Sequence, residues 1–164
     1  MCESPVHAAG PASLGYAGLL TYDLSGEERE AFISRYRLPG EVARLLREVA
    51  QGRDCRAHLA TPGLRNSDVD RLLQPLSDVA LQVLCAAEPF VSDIIAHYRT
   101  ALRPARPLLD GHALRRMGVA PGPQIGHLLR ELRAARLDGF VTSYADEEAW
   151  VSRWLVTRRP SPPH

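Results

Sequence analysis

The sequence predicts an all-α protein, a multi-helix elongated bundle of about eight helices, and three observations lead there. Apolar residues recur at i, i+3, i+4 and i+7 along most of the chain, the spacing that gathers them on one helix face. No segment alternates apolar and polar residues long enough to make a half-buried strand. Ser, Asp or Asn precede the periodic runs and Gly or Pro follow them, as helix starts and stops require.

Ser25-Gly26-Glu27-Glu28 reads as a capping box, with the Ser25 hydroxyl accepting from the N3 amide and Glu28 reaching back. The helix it opens carries Phe32, Ile33 and Tyr36, and Leu38-Pro39-Gly40 ends it. Val42, Leu45, Leu46 and Val49 form the next stripe, expected to close near Gly52, with a turn-rich piece to Gly63. Cys55 and His58 have a possible ligand spacing, yet one such pair completes no zinc site, and a turn is expected there. Asn66-Ser67-Asp68 starts a helix with Val69, Leu72 and Leu73 inward; Asp68 and Asp70 read as capping acids.

Ser77-Asp78 caps the most apolar helix, Val79 to Ala87, whose apolar residues cover most of its circumference and place it at the centre of the core. Beyond Pro89 a helix runs through Val91, Ile94, Ile95, Tyr98 and Leu102. Arg103-Pro104-Ala105-Arg106-Pro107 is a stiff linker. Asp110 caps a short helix to Met117, and the collar Pro121-Gly122-Pro123 opens a long one. Leu137-Asp138-Gly139 ends that helix, with Gly139 as a left-handed C-cap. Asp146, Glu147 and Glu148 sit where a helix dipole favours acids, ahead of Trp150, Val151, Trp154 and Leu155.

With 164 residues the chain can bury one real core or two small ones. No run approaches the roughly 18 apolar residues of a membrane span, so no membrane partner is expected. The N-terminus has neither the basic start nor the apolar middle of a signal peptide. Cys2, Cys55 and Cys85 are too few and scattered for a disulfide framework. A reduced, cytoplasmic setting is the expectation.

The net charge of +1 is unevenly spread. From Arg99 to Arg136, eight arginines against Asp110 and Glu131 leave +6, and the remaining chain carries −5. Such a basic segment attracts polyanions. All 20 basic residues are Arg, so the clustering carries the inference and the residue type does not. No phosphate-binding P-loop, nucleophile elbow or H-E-x-x-H pair is present.

Leu109 to Thr142, LDGHALRRMGVAPGPQIGHLLRELRAARLDGFVT, resembles the C-terminal signature of bacterial class II CCA-adding tRNA nucleotidyltransferases and the related poly(A) polymerases. Gly111, Leu114, Gly118, Pro121, Gly122, Pro123, Ile125, Gly126, Leu129 and Leu137-Asp138-Gly139 stand at matching places; Ala113 departs where that family shows Asp. Upstream, LLTYDLSGEEREAFISRYRLPGEVARLLREV and RNSDVDRLLQPLSDVALQVLCAA look more loosely like the family's helical neck and body. The ends over 1–13 and 158–164 are expected to be flexible, and the resemblance implies a neck and body over 14–102 and a tRNA-binding tail over 103–157. It implies tRNA as partner, held by its elbow and acceptor–T arm. It further implies a catalytic head, expected before residue 1 or on a separate chain, to which magnesium and CTP or ATP belong. No cofactor is expected in this chain, and no nucleotide transfer from it alone.

The expected RNA-binding residues are Arg115, Arg116, Pro121, Gly122, Pro123, Gln124, Gly126, His127, Arg130, Arg133 and Arg136. The prolines stiffen the helix entrance and the glycines leave it bare, so phosphate can reach amides at the positive end of the dipole. His127, Arg130, Arg133 and Arg136 repeat every three residues away from Ile125, Leu128, Leu129 and Leu132. His112 also lies in the basic region. A bulky Gly122→Val change is expected to block phosphate without harming the fold. The competing explanation for Gly122 and Gly126 is tight helix–helix packing. The competing functions are a stand-alone RNA-binding adaptor and a structural module that meets an acidic protein.

Overall fold

The computed structural model describes residues 11–157, and every described regular element is helical. Of the ends expected to be flexible, 1–13 and 158–164, residues 1–10 and 158–164 lie outside the described residues. The helices are α1 (Pro11–Leu20), α2 (Gly26–Arg35), α3 (Gly40–Leu59), α4 (Asn66–Leu73), α5 (Asp78–Ala87), α6 (Ser92–His97), α7 (Gly111–Arg116), α8 (Pro123–Leu137) and α9 (Tyr144–Thr157). They form two compact units, one of residues 11–64 and 71–99, the other of 65–70 and 100–157. The chain passes from one to the other within α4 and again after Arg99.

In the first unit the capping box at Ser25 is present in both directions: Glu28 N–H donates to Ser25 Oγ at 3.3 Å and Ser25 N–H to Glu28 Oε2 at 2.9 Å. α5 is the central helix, with Ala80, Leu81, Val83 and Leu84 no more than 2% exposed. Its Ser77 cap accepts from Ala80 N–H, and the Ser77 amide donates to Glu48 Oε2 at 2.9 Å.

The expected stop at Gly52 is not one. α3 runs on to Leu59, and Cys55 and His58 lie within it rather than in a turn. Gly52 is buried, and a Cβ there would drive into Leu84 Cδ1. The glycine lets α3 and α5 approach closely, which outweighs its modest helix penalty. Burial, with help from the Asp54 charge, pushes the Cys55 thiol pKa up.

α1 begins at Pro11, inside the stretch expected to be flexible. It has no charged residue, and Gly18 lets it lie on α5, where a Cβ would stand 3.0 Å from Val83 Cγ2. Thr21 ends it by donating its hydroxyl to Ala17 O at 2.8 Å. The following Tyr22 hydroxyl donates to Glu88 Oε1 at 3.1 Å; burial, then this bond, pushes its pKa up to about 12.

The single helix expected from Val91 to Leu102 is three pieces: a 3-10 turn at Pro89–Val91, α6, and a π-helical turn at Tyr98–Leu102. The wide turn lies just before Arg103-Pro104, where proline lacks the N–H that would extend the ladder.

The second unit packs α7, α8 and α9 around Leu109, Leu114, Val119, Leu128, Leu132 and Val151. Asp110 caps α7 as read, accepting from Ala113 N–H at 2.8 Å, and this bond above all holds its carboxyl below the usual range. Gly139 takes φ 77° while Phe140 N–H donates back to Ala135 O at 2.9 Å, the expected left-handed cap. Residues 65–70 belong here because Asn66 and Ser67 bind the end of α8. Asn66 Nδ2 donates to Leu137 O at 3.0 Å, and Ser67 donates from N and Oγ to Asp138 at 2.8 and 2.7 Å.

Two acids read as generic helix-start residues have specific partners. Asp146 accepts from the Ser143 and Thr142 amides and the Thr142 hydroxyl at 2.9–3.0 Å, which lowers its pKa to about 2. Glu147 is 0% exposed. It accepts from the Leu108 and Leu109 amides, each at 2.8 Å to Oε2, and from Arg136 Nη1 at 3.0 Å.

Candidate nucleic-acid interface

The collar lies in the second unit, at the start of α8. Pro121, Gly122, Pro123 and Gln124 are all exposed, and no side chain caps the first-turn amides. Pro123 is the first helical residue, where its missing N–H costs nothing. Gly122, with φ 131° and ψ −161°, occupies backbone space that L side chains rarely enter. A Cβ built on it meets nothing within 4 Å. Conformation therefore requires this glycine and packing does not. The Gly122→Val expectation is corrected accordingly: valine would strain the entrance even though there is room for it.

Gly126 has the opposite character. Its backbone is ordinary helix, and the nearest group to a built Cβ is Arg130 Nη1 at 3.7 Å. Neither glycine is the seat of a helix–helix contact. The Arg130 guanidinium thus reaches back over Gly126 toward the first turn, as helical side chains slope toward the N-terminus. A cation set beside the positive end of a helix dipole is electrostatically uphill, and an anion there relieves both.

The remaining basic residues divide. Arg116 is exposed, and its side chain donates no hydrogen bond among the described residues. Arg115 is exposed too, with Nη2 2.7 Å from His112 Nδ1, one turn back on α7. His127 Nε2 lies 2.9 Å from Glu131 Oε1, an ion pair only when the imidazole is protonated. Arg133 and Arg136 are committed internally. Arg133 Nη2 donates to Asp70 Oδ1 at 2.7 Å and to Leu102 O at 3.2 Å, and both partners' side chains are largely buried. Arg136 is the cation on buried Glu147. Two of the four arginine and histidine positions on the α8 stripe therefore hold the unit together.

Asp70 is correspondingly an ion-pair partner and not a cap. Sequence reading missed it and Glu147 because both partners lie far along the chain. Among the described residues, no three His, Cys, Asp or Glu side chains gather as a metal site would need. No family model, curated protein or solved structure matches the chain.

Proposed function

We propose that the second unit binds tRNA through the α7–α8 segment, and that the chain is the tRNA-holding C-terminal portion of a CCA-adding nucleotidyltransferase. Nucleotide addition itself is the work of such an enzyme's catalytic head, with its magnesium and its CTP or ATP. The observation that carries the reading is the Arg130 guanidinium, which folds over bare Gly126 at an uncapped helix start. Exposed Arg115 and Arg116 extend the positive surface, while Arg133 and Arg136 act from within by fixing α8. A-form RNA hides its base edges in a deep, narrow groove, so this surface reads phosphate spacing and shape.

A salt titration of tRNA binding tests it. Arg130→Ala is expected to weaken binding alike for different tRNAs and to lower the slope of log K against log salt by about 0.7–0.9. Arg35→Ala, an exposed arginine of α2 in the first unit, is expected to change neither. Equal losses for the two variants would remove the α7–α8 segment as the site.

A further inference from the structure

A second feature of this unit shares no residue with the collar: an open concavity of about 450 Å³ lined by Phe140, Trp150, Arg153, Trp154 and Thr157. Phe140 is 70% exposed, an unfavourable place for so large an apolar ring. It is held there by the Gly139 turn and the Phe140 N–H bond to Ala135 O. Trp150 and Trp154 are four residues apart on α9, so their indoles stand on one face, one turn apart. Each packs partly on the core and is partly open. Arg153 beside them is exposed, and its side chain makes no hydrogen bond or ion pair among the described residues.

The geometry points to a stacking site for an unpaired nucleotide, its base against the aromatic rings and its phosphate on Arg153. The volume falls within the range of small-ligand pockets. Aromatic faces accept any base, which is how single strands are held without sequence reading. The guanidinium decides the ligand class. A proline-rich or other neutral peptide would use the rings and leave Arg153 idle, whereas a nucleotide uses both.

Both tryptophans of the chain line this concavity, so intrinsic tryptophan emission of the full 1–164 protein reports on its occupancy. The probes are an oligoadenylate of about six nucleotides, short enough for one site, an abasic strand of equal length, and a proline-rich peptide. Oligoadenylate is expected to quench emission saturably, and the abasic strand far less. Phe140→Ala should weaken oligoadenylate binding by about fivefold or more, and Arg153→Ala should flatten its salt dependence. Both side chains are exposed, so the fold is expected to survive, with the far-UV spectrum as the check. Arg130→Ala should leave this quenching unchanged, which separates the site from the collar. Equal quenching by the abasic strand, an unchanged affinity in Phe140→Ala, or a response to the peptide alone would each overturn the proposal.

Discussion

Glu147 ties α9 to α8 and to the chain segment before α7 within the second unit. Its carboxylate satisfies the Leu108 and Leu109 amides and one guanidinium while itself fully shielded from water. Glu147→Ala leaves the buried Leu109 amide without its acceptor and Arg136 without its counter-ion. Arg136 is 26% exposed, so the expected cost is about 1–3 kcal/mol, below that of a fully buried pair. Chemical denaturation is expected to show a loss of that size, with Glu147→Gln losing less because it still accepts from the amides. A loss under about 1 kcal/mol would mean that water replaces the carboxylate. None of this is readable from the sequence. Glu147 stands among three consecutive acids at a helix start, and its partners at Leu108 and Leu109 are 38 or 39 residues away. Asp70 is hidden in the same way, with Arg133 63 residues on. Ser25, Ser77, Asp110 and Gly139 were legible because a cap acts within a few residues of itself.

Among the elements, the α3–α5 contact separates propensity from packing. Gly52 resembles a helix stop in sequence, yet it serves as the gap that receives Leu84. Gly52→Ala would improve helix propensity and still destabilise, by about 1–3 kcal/mol, because its methyl overlaps a leucine that is 1% exposed. Leu84→Ala should cost about 2–5 kcal/mol through the cavity it leaves. The double variant is expected to lose less than the sum, since each change makes room for the other. Additive losses would show that the two side chains do not meet. α1 was not anticipated for a related reason. Apolar residues on every side and no N-terminal acid give neither an amphipathic stripe nor a cap, and Gly18 against Val83 reveals its place only in three dimensions. Arg133 and Arg136 likewise share the spacing of Arg130, and only their distant partners distinguish them.

For the molecule as a whole, all-helical character was legible because the 3.6-residue period persists through both units. The grouping of residues 65–70 with the C-terminal half was not, because it rests on Asn66 and Ser67 meeting Leu137 and Asp138 across 71 residues. The collar itself was legible as bare backbone at a helix start, and the structure adds the Arg130 guanidinium beside Gly126 in the turn that follows it. A cation kept at the positive end of a helix costs the free protein stability and repays it only when an anion arrives. The central claim therefore makes opposite-signed demands on one substitution. Arg130→Ala, measured at low salt by denaturation of the free protein and by tRNA binding, is predicted to stabilise the fold by about 0.3–1 kcal/mol while weakening tRNA binding. A variant that binds tRNA as tightly as the parent, with an unchanged salt slope, would contradict the account.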